Sequence, residues 1–193
     1  MYILFFVSII AVTIIIERAI ALRWIRVIPP EIEDAVENCR GTRGAAAVVR
    51  AAEANPSPMA RLLLTAHEHL DWPKQENVDS IETRARHEVM RMERGLVVLE
   101  IVVGIAPLTG LVGTLHGLIT LFAALGHAGV TDNAALAKGI SIALNTTLMG
   151  LVVAIPALIA WSYYHRKVET LAVEMEALCD QYLRAQYSER QPA

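Results

Sequence analysis

The chain is short of several residue types, and each shortage removes a class of function. Among 193 residues there are two cysteines, three phenylalanines, three tryptophans and five tyrosines. Cys39 and Cys179 have neither disulfide-framework nor metal-ligand spacing. With aromatics at 6%, there is no set of rings on which nucleic-acid bases would stack. A net charge of −3 points to neither nucleic acid nor an acidic partner. A phosphate-cradling glycine loop is missing, so use of ATP by this chain is not expected, and nothing calls for a cofactor. Internal repeats and low-complexity tracts are missing too. Fixed charge disappears altogether from Ile101 to Gly126 and again from Gly139 to Tyr164, 26 residues in each case.

What fills those gaps is apolar. Hydrophobic residues make up 54% of the chain, charged residues 19%, and the mean hydropathy is +0.42. That balance describes a membrane protein with a substantial aqueous part. At about 1.5 Å per residue, each uncharged run exceeds the ~30 Å of a bilayer's hydrocarbon core. A shorter run, "MYILFFVSIIAVTIII" (Met1–Ile16), ends at Glu17-Arg18 and resumes as "AIAL" before Arg23. Snorkelling by Arg18 lets one helix span there. A cleaved signal peptide is the rival reading, but the start is uncharged and the end is Glu17-Arg18 rather than a small-residue cleavage site, so a retained helix is expected.

The distribution of basic residues predicts orientation. Arg18, Arg23, Arg26, Arg40 and Arg43 follow the first span, Arg91 and Arg94 precede the second, and His165, Arg166 and Lys167 follow the third. The connection "HAGVTDNAALA" has no lysine or arginine. The positive-inside rule then puts the Arg23–Arg94 segment and the C-terminus in the cytoplasm and the N-terminus outside. Both cysteines fall on the reducing side. The expected organisation is all-α and integral to the membrane. Transmembrane helices occupy 1–22, 95–126 and 139–165, a helical cytoplasmic region 23–94, an external connection 127–138, and a cytoplasmic helix and tail 166–193.

Within the cytoplasmic parts, Pro29-Pro30 should end the first helix. Ile32–Ala54 is helix-compatible, "NPSP" at 55–58 breaks it, and a short helix follows over Met59–Leu70. Asp79-x-x-Glu82 has the form of a capping box for the next helix. Val78, Ile81, Ala85, Val89 and Met92 give that helix an apolar face, and no decisive breaker separates it from the second span. Leu171, Met175, Leu178 and Tyr182 form a similar stripe after the third span.

At 100° per residue, Pro107, Gly110, Thr114, Gly117 and Leu121 share one face of the second span. Ala143, Thr147, Gly150 and Ala154 share one face of the third. Two readings fit such small-residue faces: helix packing alone, with threonine bonding a carbonyl one turn back, or a polar pathway. Neither Ile101–Gly126 nor Gly139–Tyr164 contains Asp, Glu, Lys or Arg. Threonine cannot exchange protons near neutral pH, so a proton route here needs a titrating group from a partner. His116 lies about 200° around the helix from Thr114, and Asn145 stands in the same relation to Thr147. The two are expected at similar depth, as an interhelical polar pair. "HEHLD" (His67–Asp71) offers at best two metal ligands, His67 and Asp71, and "HEVMR" (His87–Arg91) lacks the second histidine of a zinc-protease helix, so no metal site is expected.

"LEIVVGIAPLTGLVGTLHGLITLF" (Leu99–Phe122) resembles the second-helix signature of the ExbB/TolQ/MotA proton-channel family. "GISIALNTTLMGLVVAIPALI" (Gly139–Ile159) is similar to its third-helix signature, and "ERAI" (Glu17–Ile20) to the charged pair closing its first helix. The resemblance, to the ExbB/TolQ branch, implies a homopentamer of three-helix subunits in a bacterial inner membrane. It implies a central pore enclosing the helices of an ExbD/TolR-like partner, whose aspartate binds the proton, and an output at the periplasm through a TonB/TolA-like protein. By motif position Thr114 and Thr147 correspond to the family's pore threonines, and Glu100 falls near the cytoplasmic mouth. Two positions depart from the pattern: Ile142 replaces a glutamate common among relatives, and His116 stands where close relatives have an aromatic or apolar residue. The implied function is the channel-forming subunit of a motor driven by proton-motive force. The alternative is a non-conducting scaffold that clusters partner proteins.

Overall fold

The computed structural model describes residues 2–39, 41–128 and 133–190, and these are helical throughout apart from turns and short connections. Among the described residues eight helices follow in order: α1 (Tyr2–Ala21), α2 (Trp24–Val27), α3 (Pro30–Glu37), α4 (Gly41–Ala54), α5 (Pro58–Glu68), α6 (Lys74–Glu93), α7 (Leu96–Ala128) and α8 (Asn133–Arg190). Three contain segments long and apolar enough to cross a membrane: Ile3–Ala21 in α1, Leu96–Ala123 in α7, and a stretch within Leu136–Ser188 of α8. The middle of the expected 127–138 connection, residues 129–132, lies outside the described residues. The chain forms two compact units, Met1–Arg18 with Gly95–Tyr163, and Ala19–Arg94 with Tyr164–Ala193.

In the first unit, α7 and α8 pack antiparallel, and their contacts climb one helix as they descend the other. Gly110 meets Thr147 and Gly150, Gly117 meets Ala143, and Leu121 meets Gly139. The apolar residues that face outward from this unit, among them Leu111, Val152 and Ile159, are heavily exposed in the single chain. A lipid-facing surface has that character, since hydrocarbon carries no penalty for apolar contact. Arg18, at the end of the first span, is paired with Glu17 at 2.6 Å. Its guanidinium lies against Gly95, where a Cβ would come within 2.6 Å of Nε. The chain turns at Arg94-Gly95, so α6 and α7 are separate helices rather than the single long one that the sequence suggested.

The second unit is a helical cluster around an apolar core that includes Ile28, Ile32, Met59, Leu62, Leu171, Met175 and Tyr182, each 1% exposed or less. Each fully buried aliphatic side chain there contributes about 2 kcal/mol. The stripe Leu171–Met175–Leu178–Tyr182 on α8 is buried as its spacing predicts. Helix boundaries differ from expectation in three places. Pro29 and Pro30 open α3, as N-cap and first helical residue, whereas α1 has already ended at Ala21. Burying Leu22, Val27 and Ile28 in the core outweighs continuing α1. The expected helix over Ile32–Ala54 is divided after α3, where Asn38 caps the end by donating Nδ2–H to the Asp34 carbonyl at 2.8 Å. There the chain doubles back so closely that a Cβ on Gly44 would come within 2.9 Å of the Cys39 Cα. Asp79 does not cap α6, which begins five residues earlier behind Pro73; instead it accepts a hydrogen bond from Gln75 at 3.2 Å. By contrast α5 is capped as a proline-bounded helix should be: the Ser57 hydroxyl accepts from the Ala60 N–H at 3.1 Å, with Pro58 at the first helical position.

One ion pair dominates the electrostatics of this unit. The Glu88 side chain is 2% exposed and takes a bidentate contact from Arg61, 2.8 Å to Oε1 and 2.6 Å to Oε2. Arg84 and Arg91 stand 3.6 and 3.8 Å from Oε1. Burial alone would push the Glu88 carboxyl up. The Arg61 hydrogen bonds and charge, with Arg84 and Arg91 behind them, outweigh it and hold the group below the usual carboxylate range. The Glu88 hydrogen bond raises the Arg61 guanidinium in turn. Burial also pushes the Cys179 thiol up to about 12, which leaves it an inert core residue. Glu88→Ala should cost about 2–3 kcal/mol, because it strands Arg61 in a partly buried site. Since folding lowers the Glu88 pKa, its contribution is complete at neutral pH and vanishes as pH falls through that lowered value. Thermal unfolding of the purified protein at pH 7 and under acid conditions checks both effects: Glu88→Ala should lower the midpoint at pH 7 and change it far less in acid.

Candidate functional site

The small-residue faces of the second and third spans meet each other. Where they cross, glycine is required because backbone occupies the space a side chain would take. A Cβ on Gly150 would sit 2.6 Å from the Ala106 carbonyl oxygen, and one on Gly110 would sit 2.9 Å from that of Thr146. Ala143 and Ala154 are buried and Pro107 is half-buried. Gly117 meets Ala143 at 3.1 Å from its would-be Cβ. Gly110, Gly117 and Gly150 thus each pack against the facing helix of the same chain.

This closeness brings hydroxyls from both helices together. Thr114, on α7, places Oγ1 3.2 Å from the Gly110 carbonyl of its own helix and 3.1 Å from the Ala143 carbonyl of α8. The Thr114 and Thr147 hydroxyls are directly hydrogen-bonded. A third hydroxyl, Thr146, donates to Ala143 O at 2.7 Å and lies 3.4 Å from Thr114 Oγ1. Thr146 and Thr147 also approach the Gly110 carbonyl, at 3.3 and 3.4 Å. Three hydroxyl protons thus share two carbonyls and one another. Each hydroxyl is donor and acceptor at once, so the cluster can exchange partners without leaving a proton unplaced. Thr114 is buried, whereas Thr146 and Thr147 are half-buried and border the cluster's accessible edge.

Thr146 and Gly113 are the seam residues that spacing alone missed. Both lie about 100° from the reference threonine of their helix, outside a 60° face. Yet a Cβ on Gly113 would come within 2.9 Å of Thr146 Oγ1. Crossing helices with so few side chains between them share a broader strip than one face. The signal was present as consecutive small residues at 146–147 and 113–114.

His116 and Asn145 are not brought together in one chain. Both are exposed, on flanks turned away from the α7–α8 seam. The contacts of Thr114 and Gly117 with α8 leave His116 on the far side of its helix. Glu100 is exposed at the start of α7, away from the hydroxyl cluster. The histidines of "HEHLD" have structural partners. His67 Nδ1 pairs with the Tyr182 hydroxyl at 2.8 Å, and His69 stacks on Trp72 while its Nδ1 meets Ser80 at 3.1 Å. Because α5 ends at Glu68, Asp71 is not one helical turn above His67. Among the described residues no group of three His, Cys, Asp or Glu side chains is placed to hold a metal ion.

Three membrane-length helices and a hydroxyl cluster in a glycine-lined seam define a multi-pass membrane protein with polar groups held between two of its helices. Residues 54–177 match the sequence profile of the MotA/TolQ/ExbB proton channel family, and the chain belongs to that family. It is 33% identical over 144 residues to a biopolymer transport protein ExbB homolog of Methanothermobacter thermautotrophicus, covering 75% of this chain and 51% of that protein. It is 30% identical over 105 residues to the biopolymer transport protein ExbB of Aquifex aeolicus, covering 54% of this chain and 70% of the relative. An ExbB-like protein of Synechocystis is 30% identical over 154 residues, with 79% and 73% covered. The chain thus spans about half the length of the Methanothermobacter relative and roughly 70% of the other two.

Gly150→Ala should separate the two helices, because the Ala106 carbonyl oxygen has no rotamer through which to yield. Its thermal midpoint should fall by several degrees. Gly104→Ala is the matched control: nothing lies within 4 Å of its would-be Cβ, and alanine favours helix by about 1 kcal/mol, so its midpoint should hold or rise.

Proposed function

We propose that this chain is the channel-forming subunit of an inner-membrane motor driven by proton-motive force, built on the ExbB/TolQ plan. The observation that carries the reading is the hydroxyl cluster of Thr114, Thr146 and Thr147 within the runs Ile101–Gly126 and Gly139–Tyr164, which hold no acid or fixed base. Such a wall relays or solvates a proton but cannot bind one at neutral pH. The titrating carboxylate comes from a single-span ExbD/TolR-like partner enclosed by several copies of this chain, five by the family's pattern. The basic residues flanking the spans support an external N-terminus and a cytoplasmic C-terminus, with Glu100 near the inner mouth.

Moving one charge through 100 mV releases about 2.3 kcal/mol. Protonation from the outer side neutralises the partner carboxylate, which lowers its cost of facing an apolar wall. The partner helices then turn within the wall. Thr114 and Thr147 hydrogen-bond the carboxylate or ordered water as the proton leaves. The work passes to the periplasm through the partner, with a TonB/TolA-like protein as the receiver.

Replacement of Thr114 and Thr147 by valine keeps shape and removes the hydroxyls. In vesicles holding this chain and its single-span partner, proton flux should fall about ten- to a hundredfold while the assembled complex keeps its mass. Undiminished energised activity in the double variant would instead identify a non-conducting scaffold.

A further inference from the structure

His116 and Asn145, at membrane depth, have hydrogen-bonding capacity that the described residues do not use. His116 on α7 and Asn145 on α8 are exposed, and neither has a hydrogen-bonding partner among the described residues. Other exposed hydroxyls on α7 need nothing further: Thr109 donates to Ile105 O and Thr120 to His116 O, both at 2.9 Å. An imidazole and a carboxamide facing hydrocarbon are costly, and polar side chains at that depth face protein or water.

Their positions specify what meets them. The Thr114 and Thr147 hydroxyls touch, which sets the level of the two antiparallel helices. Two residues onward on α7 and two residues back on α8 both lead about 3 Å toward the same end of the hairpin. His116 and Asn145 therefore share a depth. Each also lies about 200° around its helix from a threonine that faces the other helix. His116 consequently looks away from α8, and Asn145 looks away from α7. Residues at one level on opposite edges of a two-helix unit come together when that unit repeats head to tail, which is the arrangement that closes a ring.

The two edges also fit in shape. Beside Asn145 runs an open groove of about 640 Å³, lined by Ala137, Ile140, Ser141, Leu144, Asn145 and Leu148. His116 is flanked one turn to either side by Val112 and Ile119, at 64% and 68% exposure, which give apolar bulk to seat there. The carboxamide offers both a donor and an acceptor, and a neutral imidazole offers one of each in either tautomer. We propose that Asn145 of one copy hydrogen-bonds His116 of the next, with the α8 groove receiving the neighbour's α7 face. The contact joins copies of this chain around the wall, and it rests on the multi-subunit channel reading above.

Cysteines at both positions of the full chain (H116C with N145C), oxidised in native membranes, test it. Cys39 and Cys179 are buried and should contribute no links of their own. The expected result is a reducible ladder of covalent dimers and higher species, absent from each single variant. Separately, His116→Ala should weaken association of the complex about fivefold per contact, and His116→Asn should restore it. A disulfide formed only within one chain overturns the proposal. So does a complex whose native mass shows several copies but which yields no ladder; that result leaves the channel reading intact. A chain that is monomeric in the membrane overturns both.

Discussion

Direct backbone contact between α7 and α8 at Gly110 and Gly150 is the constraint from which the rest of the membrane unit follows. A threonine hydroxyl is short, and it reaches a carbonyl on a neighbouring helix only where the backbones nearly touch. With larger residues at 110 or 150, Thr114 would lose the Ala143 carbonyl and fall back on its own helix. The glycines thus do two things at once, close packing and cross-helix hydrogen bonding. Within hydrocarbon these are coupled, because an unsatisfied polar group there has no water to turn to.

The second unit is held by different physics. Its core is apolar, but a buried carboxylate sits at one point in it, and Glu88 is tolerable only because Arg61 meets both oxygens. A buried pair of this kind adds little net stability compared with an apolar pair, yet it penalises any arrangement that separates its members. That makes it a device for specifying how α5 seats on α6. His67 with Tyr182 does the same for α5 and α8, and Asn77 on α6, which donates to both Ala66 O and the Tyr187 hydroxyl, ties α6 to α5 and α8. Residues that look like chemistry in one dimension are here structural fasteners.

The proposed division of labour has a physical logic beyond family membership. A wall containing an acid would hold charge in a low-dielectric site permanently and would compete with any moving acid for the proton. Hydroxyls avoid both difficulties, since they stabilise a passing charge without trapping it.

How much of this was legible beforehand depended on range. Two uncharged runs of 26 residues admit few alternatives, so the firm spans could be located from composition, and the seam could be recognised from small residues recurring at helical spacing. The ends of α1, α3 and α6 were not legible. They depend on whether Leu22 and Ile28 find a core, whether Asn38 can reach back to Asp34, and whether Arg18 needs the space at Gly95. Thr146 and Gly113 escaped notice because a one-dimensional face has a fixed width, whereas a glycine crossing shares a wider strip. The shared depth of His116 and Asn145 followed from counting residues, but only packing revealed that they look outward from opposite edges. Local chemistry decides which segments enter the membrane, because transfer free energy sums residue by residue. Which groups face one another depends on how closely two backbones approach, and that is a property of the pair.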